Sequence, residues 1–550
     1  MDPLVVTKSP WERFRGAAFL SAVAALVTVT SILHFWRIGS APPGFYVDES
    51  ANAYNAYCVA RTGADEYGVR LPVFFRCCDD DRGRRTGWCD SMMIYPRTPF
   101  MAAFGLQKWA ARLPDALLGI LASVVFAFLV FEYCPNRWLA LGSGFCFSLM
   151  PWLFVVSRIA VGGYMPLVLG LTSGWLLALL AFRRHSYCCA VLSGVAWAVA
   201  MYSYSVGRPM TALLLICFGV SYFGELKRRW KLGLALVVGW VVCLAPMIVA
   251  VARTPEVLTG RFQMVGVFQD NVGWNSIITG VATRYLEYFS PQFLFLKGNA
   301  NLRLHTGFGG ELFRFLVPMV VAGLYCLIRR VRTEPSYRFL GLGLLVYPVA
   351  AVLTEDPLHS GRCINGVIFW ALVAAIGAHF LWQKRDMGRK LLVVACVAGV
   401  IEMALYLQDY FGGYQIRSRV AFSAPFTEAL EDCFRGLDAS NTLYVSVSAV
   451  APLVGVNVNK EFKPITYEDI LFFGNIDPRV YQRSGIPRDR VRLYEGTIDA
   501  PGLLLRTNLR LAKQVQGKPV TIPEPRPAGS KLLETKPVSE GIQYEVYQVR

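Results

Sequence analysis

The sequence predicts an all-α polytopic membrane protein with about eleven transmembrane helices, followed by a small α/β domain outside the membrane. The first observation is composition: of 550 residues, 54% are hydrophobic and 17% are charged, against roughly 25% charged in soluble domains. The second is a series of apolar stretches long enough to span a bilayer. The third is a concentration of basic residues in alternate loops. Together they exclude an intrinsically disordered chain, a collagen-like chain and a small disulfide scaffold.

Eleven apolar stretches carry few charges and approach the roughly 20 residues that cross about 30 Å of hydrocarbon. Residues 209–224 and 339–354 are short, and the second stretch contains two glycines and a proline. Such spans are tolerated where their backbone faces protein or a water-filled cavity. The predicted spans are residues 16–38, 113–131, 138–156, 163–182, 187–206, 209–224, 232–251, 311–328, 339–354, 363–382 and 391–407.

The charges of the loops predict the orientation. Alternate segments, counted from the N-terminus, hold 18 basic and 6 acidic residues, which is +12 of the net charge of +17. This is the positive-inside pattern, so we expect a cytoplasmic N-terminus, an extracytoplasmic C-terminus and the bacterial inner membrane as location. The first apolar stretch is too long for a cleavable signal peptide. Because topology accounts for the basic charge, we expect no nucleic-acid partner.

The predicted topology divides the chain into a membrane domain, residues 1–407, and a C-terminal domain, residues 408–550. The membrane domain includes long outside loops at 39–112 and 252–310. The tail of roughly 140 residues is large enough for one small core. Its pattern predicts strands at 442–449, 491–494 and 544–549, a helix at 465–473 and a proline-rich stretch at 522–527.

The first outside loop holds cysteines and a run of acids. The outer side of the membrane permits disulfides, so we predict a bridge from Cys77 or Cys78 to Cys89. The cysteine spacing does not fit paired zinc ligands. The acidic run at 79–81 resembles a cation site, but the arginines that follow it favour a solvated, internally paired loop. We therefore expect no bound metal.

Asp48 and Glu49 form the first candidate for chemistry. They lie about ten residues after the first predicted span and precede a helix-forming run. A carboxylate at a helix N-terminus stays ionised, which suits a general base at the membrane surface. The same position also fits a simple helix cap, and the two readings stay open.

Basic side chains at the ends of outside loops form the second candidate. Arg112, Arg158, Arg208 and Arg362 lie on the side where the loops are otherwise poor in charge, and His359 is close to the last of them. A guanidinium at the hydrocarbon edge is costly unless it has a partner, and phosphate is a natural one. The alternative is that each arginine snorkels or pairs with Asp115, Glu355 or Asp356.

Several motifs, in the right order over about residues 10–405, resemble the polyprenyl-phosphate-dependent glycosyltransferases of the GT-C superfamily, which includes the protein O-mannosyltransferases and the lipid A aminoarabinose transferase. Each motif alone is weak, and together they are specific for the superfamily. The matching stretches are GFYVDE (44–49), YNAY (54–57), RTGADEYGVRLP (61–72), YPRTPF (95–100), RLP (112–114), PW and SRIA within 151–160, YSVGRP (204–209) and PLHSGR (357–362).

The resemblance implies GT-C architecture and a transfer reaction. A sugar would move, with inversion, from a polyprenyl-phosphate donor in the outer leaflet to a hydroxyl of a protein, lipid or glycan acceptor. Asp48, next to Glu49, would deprotonate that hydroxyl, while the four arginines and His359 would hold the lipid phosphate. No cofactor or divalent metal is implied. The tyrosines expected to line the substrate pocket are Tyr46, Tyr54, Tyr95 and Tyr204.

Two departures from the family pattern bear on activity. Ser50 follows Glu49, where relatives usually have alanine. Many relatives also carry a second acid after the Ser-Arg motif, where this chain has Gly162 and Gly163, and Asp115 is a candidate to compensate. The missing acid motivates an alternative function, a catalytically inactive scaffold or accessory subunit. A transporter is disfavoured because the spans hold almost no ionisable residues.

Overall fold

A computed structural model gives the fold. It describes residues 17–79, 85–259, 266–267, 273–354, 358–384, 386–438, 441–446, 449, 467–487, 489–494, 497–508, 510–515, 518–523, 529–539 and 542–549. Side chains at 77–79, 85–87, 493, 510–523, 538–539 and 542 are outside the described part. The predicted proline-rich stretch, most of the acidic run, Glu355 and Asp356 fall largely or wholly outside it.

Helices make up most of the chain before residue 440. In chain order they are α1 (Ala17–Phe35), α2 (Val47–Thr62), α3 (Ser91–Ile94), α4 (Thr98–Phe104), α5 (Lys108–Tyr133), α6 (Arg137–Leu149), α7 (Pro151–Phe154), α8 (Tyr164–Arg184), α9 (Tyr187–Met201), α10 (Gly207–Ser221), α11 (Phe223–Arg228), α12 (Trp230–Arg253), α13 (Trp274–Glu287), α14 (Val317–Arg330), α15 (Pro335–Val346), α16 (Val349–Val352), α17 (Gly366–Gln383), α18 (Met387–Phe411), α19 (Gly413–Arg417) and α20 (Ala424–Gly436).

The described helices indicate a multi-pass membrane protein, but the predicted count of eleven spans is not confirmed. Seven helical segments are long and apolar enough to cross a membrane, and eight if the bent pair at 137–158 is one span. Each predicted span contains a helix, yet α9 and α10 have 15 residues each and α14 has 14. A helix rises 1.5 Å per residue, so these three are shorter than the hydrocarbon core.

Glycines allow some of these helices to pack backbone against backbone. A Cβ atom on Gly323 of α14 would lie 1.9 Å from the Val373 carbonyl oxygen, and one on Gly377 of α17 would lie 1.8 Å from that of Met319. Small residues permit such close approach between membrane helices. The α14–α17 contact therefore depends on glycine at these two positions.

The loop at 39–112, which is predicted to lie outside the membrane and is called the first loop below, forms a compact unit. It holds α2, an antiparallel hairpin of β1 (Phe74–Asp79) and β2 (Arg85–Asp90), and the short helices α3 and α4. Phe45, Ala53, Phe75 and Ile94 are buried together in its core. The loop thus presents the N-terminus of α2, with Asp48 and Glu49, on a rigid support.

The C-terminal domain is a mixed sheet with helices, as the pattern predicts. Predicted strands at 442, 491 and 544 coincide with β3, β4 and β9, and the predicted helix at 465–473 coincides with α21. The sheet order is β4-β3-β5-β9-β8, while β6 and β7 form a separate hairpin. The elements are β3 (Thr442–Ser446), α21 (Tyr467–Phe473), α22 (Pro478–Ser484), β4 (Val491–Tyr494), β5 (Gly502–Thr507), β6 (Arg510–Val515), β7 (Lys518–Pro523), β8 (Lys531–Ser539) and β9 (Ile542–Val549).

Helix α21 connects this domain to the first loop. Its Phe472 ring packs on Phe45 with centroids 4.6 Å apart. The Tyr54 hydroxyl of α2 donates to the Ile476 carbonyl at 3.2 Å, and Gln482 donates to the Thr62 hydroxyl at 3.0 Å. Consequently α2 lies between the membrane helices on one side and the C-terminal domain on the other.

Candidate active site

The N-terminus of α2 separates the two adjacent carboxylates. Glu49 is fully buried, whereas Asp48 is partly exposed. Successive helical residues point about 100° apart because a turn takes 3.6 residues, so the two side chains face different surroundings. Glu49 accepts from the backbone N–H of Tyr46 at 3.0 Å and from that of Ala160 at 2.9 Å. It thereby caps the helix and ties it to the segment after α7.

Arg112 completes the hydrogen bonds of Glu49. Its Nε and Nη2 donate to the two carboxylate oxygens at 2.8 and 2.9 Å, and both side chains are fully buried. The remaining N–H groups donate to the carbonyl oxygens of Ile38 (3.2 Å), Pro42 (2.8 Å) and Gly44 (3.0 Å). Binding a lipid phosphate, as predicted, would require Arg112 to exchange these bonds.

Arg158 is engaged in the same way. It is fully buried, and its guanidinium contacts the C-terminal end of α1, where carbonyl groups lack helical partners. Cations are also favoured there by the helix dipole. The acceptors are the Leu33 (2.6 Å), His34 (2.5 Å), Trp36 (2.6 Å) and Ala41 (3.1 Å) carbonyl oxygens and the Tyr410 hydroxyl (3.0 Å). This geometry favours a structural role over the predicted phosphate contact.

Arg208 pairs with a carboxylate that the sequence did not single out. Its Nη2 bonds to the Asp90 carboxylate at the end of β2, its Nη1 donates to the Val257 carbonyl at 3.3 Å, and its guanidinium lies 4.9 Å from the Phe74 ring centroid. Burial raises the pKa of the Asp90 carboxyl, and the Arg208 charge opposes that rise. Arg208 therefore joins α10 to the first loop.

Asp48 lies in a different environment. Its charge and that of Arg362 both act on the Tyr164 hydroxyl at the start of α8. The Tyr164 ring packs on Tyr204 with centroids 5.3 Å apart, and it fills the space above Gly361, where a Cβ atom would meet it at 2.8 Å. Asp48, Tyr164, Tyr204 and Arg362 thus come from four segments and meet at one place.

Polar contacts from Trp152 and Asn299 hold the loop that carries Arg362. It contains a 3-10 turn at Ser360–Cys363. Trp152 Nε1 donates to the Ser360 carbonyl and Asn299 Nδ2 to the Ser360 hydroxyl, both at 3.0 Å. The buried Glu311 carboxyl accepts from the Asn299 N–H at 3.0 Å. His359, the predicted neighbour, accepts at Nδ1 from the Arg362 N–H at 3.2 Å.

The structure gives a steric reason for the missing second acid. A Cβ atom on Gly163 would lie 1.6 Å from the Ser203 carbonyl oxygen, and one on Gly162 would lie 2.9 Å from the Tyr164 ring. Position 163 has no room for a side chain, and one at position 162 would require the Tyr164 ring to move. Asp115, the proposed substitute, is buried and paired with Arg97. Its carboxylate is thus part of the helix packing.

The predicted pocket tyrosines separate into two groups. Tyr54 is fully buried against the C-terminal domain, and the partly buried Tyr95 donates to the Pro72 carbonyl at 2.8 Å. Tyr204 lies with Tyr164 near Asp48. The guanidinium carbon of Arg303 lies 4.1 Å from the centroid of the Tyr46 ring. Only the last two therefore lie where a substrate near Asp48 would contact them.

Two residues near the site were not predicted. Arg303, from the loop at 252–310, is half-buried and forms no ion pair with the residues that the structure describes. Asp469, on α21, is fully buried and accepts a hydrogen bond from the Ser50 hydroxyl. No local motif marks either residue, since each reaches α2 only through folding.

The sequence predicted a disulfide bridge in the first loop and no bound metal. Among the described residues no group of three or more His, Cys, Asp and Glu side chains is arranged to hold a metal ion. Cys89 is disulfide-bonded. The side chains at 77–79 are outside the described part, so the pairing of Cys89 with Cys77 or Cys78 stays a prediction.

This arrangement of membrane helices, first-loop helix and C-terminal sheet is the fold of the GT-C glycosyltransferases. A scan against models of protein families finds no match, and a search of curated protein sequences finds none either. The likeness is therefore one of structure, at low sequence identity.

Three solved structures, of two proteins, show the likeness. ArnT from Cupriavidus metallidurans, a lipid A aminoarabinose transferase, superposes in its apo state with a TM-score of 0.52 at 14% identity, over 89% of this chain and 93% of ArnT. Its complex with undecaprenyl phosphate gives 0.51 at 13%. The Archaeoglobus fulgidus oligosaccharyltransferase gives 0.50 at 12%, over 79% of this chain and 61% of its own.

Proposed function

We propose that this protein is an inverting glycosyltransferase that acts at the extracytoplasmic face of its membrane, with a polyprenyl-phosphate sugar as donor. The observation that carries the proposal is the different surroundings of the two adjacent carboxylates. Glu49 is buried in an ion pair, while Asp48 stays partly exposed beside Arg362, Tyr164 and Tyr204. A carboxylate exposed next to a cation at the membrane edge is where an acceptor hydroxyl and a lipid phosphate could meet.

The proposed reaction uses Asp48 as general base. Its carboxylate takes the proton of the acceptor hydroxyl while that oxygen attacks the anomeric carbon of the donor sugar. The bond from that carbon to the phosphate oxygen breaks, and the polyprenyl phosphate leaves with the electron pair. Attack opposite the leaving group inverts the anomeric configuration. The acceptor is a hydroxyl of a protein, lipid or glycan.

We assign the phosphate contact to Arg362 and Arg303 rather than to all four predicted arginines. Arg112 and Arg158 each donate five hydrogen bonds to protein acceptors, and Arg208 pairs with Asp90. Arg303 lies over Tyr46, two residues before the base. Cations at this position would stabilise the charge that develops on the departing phosphate. ArnT bound to undecaprenyl phosphate supports a lipid phosphate as ligand.

The test of the base is Asp48→Asn in cells that carry the variant in place of the native chain. Loss of a general base costs about 10²–10⁴ in rate, so mass spectrometry of envelope glycans, lipids and glycoproteins should show that the transferred sugar disappears. Asp477→Asn is the matched control. Like Asp48, Asp477 lies at a helix N-terminus. It precedes α22 and accepts from the Arg479 N–H at 2.8 Å, but its side chain is exposed.

A normal glycan profile in the Asp48 variant, with normal protein levels, would contradict the proposal. It would favour an inactive scaffold, for which the crowded positions 162 and 163 are the supporting observation.

The phosphate contact has a separate test. Arg303→Gln and Arg362→Gln should each weaken binding of undecaprenyl phosphate to the purified protein by about 5- to 100-fold, because a charged hydrogen bond contributes roughly 1.5–3 kcal/mol. Arg435→Gln is the control, since Arg435 is exposed and pairs with its own helix neighbours Glu431 and Asp432. Equal affinities in all three variants would remove both arginines from the site.

A further inference from the structure

Asp469 of the C-terminal domain reaches the first turn of α2. It is fully buried, and its Oδ1 accepts a hydrogen bond from the Ser50 hydroxyl, two residues after Asp48. Its Oδ2 is also buried and has no hydrogen-bond partner among the described residues. An unpaired buried carboxyl oxygen is costly, so its retention here calls for a functional explanation.

The position of Asp469 is set by the packing of α21. On the same helix, Phe472 packs on Phe45 with centroids 4.6 Å apart, and Phe473 contacts the same ring edge-on at 6.3 Å. The Tyr467 hydroxyl donates to the buried Glu66 carboxyl at 3.2 Å. Contacts on both sides of Asp469 therefore fix its carboxyl against the turn that carries Asp48.

We propose that Asp469 is a positioning residue of the active site, a second carboxyl supplied by the C-terminal domain, which orients the Asp48 turn through Ser50 and increases the basicity of Asp48. The inference rests on the proposed function. It gives the C-terminal domain a direct part in transfer, and it supplies the site with a second acid in a chain that has glycine at positions 162 and 163.

The electrostatics of the turn support this role. Burial raises the pKa of the Asp469 carboxyl to about 7; the Ser50 hydrogen bond opposes the rise, and the charges of Glu49 and Asp48 add to it. Coupling of like charges is mutual, so an ionised Asp469 strengthens Asp48 as a base. Glu49 is held in an ion pair with Arg112, so its carboxylate is not available as a base.

The other titratable groups close to Asp469 do not replace this coupling. Glu468, its neighbour on α21, is buried, and its pKa is raised by burial and by the charge of Glu66. Burial and the charge of Asp469 raise the pKa of Tyr544 on β9. Lys108 lies over the Phe473 ring at 5.7 Å and pairs with Glu431 at 2.8 Å.

The test is Asp469→Asn in the full-length protein, with Glu468→Gln as the matched buried control on the same helix. The rate of sugar transfer by membranes that contain each variant is measured from about pH 5.5 to 8.5, a range that brackets the Asp469 pKa of about 7. We expect the native rate to rise through that pKa. In Asp469→Asn the rise should be absent, and kcat should be about three- to tenfold lower, as expected for loss of up to one pKa unit of basicity.

Thermal unfolding shows whether Asp469→Asn folds. If it does not, Ser50→Ala is the second variant that tests the proposal. It removes the hydrogen bond that opposes the rise in the Asp469 pKa, so the rise in rate should move to higher pH. Native pH profiles in the folded variants, with Asp48→Asn inactive, would overturn the role of Asp469 and leave the proposed function intact. Full activity of Asp48→Asn would instead overturn the proposed function itself.

Discussion

The two sides of α2 are held by different chemistry. Toward the membrane helices, Glu49 forms a buried ion pair with Arg112, with N–O distances of 2.8 and 2.9 Å. Toward the C-terminal domain, two buried contacts join a hydroxyl to a carboxyl, Ser50 to Asp469 and Tyr467 to Glu66. One side thus pairs opposite charges, and the other brings carboxyls together in a buried interface.

The two sides of α2 therefore differ in how their contacts depend on pH. A guanidinium stays charged throughout the physiological range, so the membrane side holds α2 independently of pH near neutrality. Buried carboxyls without a compensating cation retain protons. The C-terminal side therefore responds to pH at the same place where the candidate base lies.

Breaking the ion pair should have the largest effect. Arg112→Met leaves the Glu49 carboxylate buried without its cation and removes five hydrogen bonds to α2 and the preceding segment. Removing one partner of a buried pair costs about 3–5 kcal/mol. We expect a large fall in thermal unfolding temperature in detergent, or failure to accumulate in the membrane.

The matched control for this change is Lys108→Met on the same helix, α5. Lys108 pairs with Glu431 at 2.8 Å, but both side chains are partly exposed, at 25% and 37%. Such a pair contributes about 0–1 kcal/mol, so little change is expected. Comparable losses in the two variants would contradict the view that the buried pair is what anchors α2 to the membrane helices.

The sequence predicted the elements well where the signal is local. Apolar stretches located each membrane helix, and alternation located β3, β4 and β9. The count of eleven spans is not confirmed, because helix length depends on where packing and turns end a helix, as in α9 and α14. Composition does not contain that information.

The site was predictable only in part, for a related reason. The motif placed Asp48 and Glu49 at a helix N-terminus, but burial decides which of the two is exposed. Arg158 looked available because its acceptors are backbone carbonyls, which every residue has. Asp469 lies 419 residues from Ser50, and no spacing connects them.

The smaller effect is the pH response of the C-terminal side. The Asp469 pKa is raised by burial from 3.8 to about 7. Its contribution to stability is thus fully present below about pH 3.8 and is lost as pH rises to about 7. Between about pH 5 and 8 the interface should lose about 2–3 kcal/mol, seen as faster hydrogen exchange in α21 and α22. Asp469→Asn should flatten this dependence, whereas exchange in α5 beside Arg112 should change little; equal pH sensitivity on both sides of α2 would contradict the comparison.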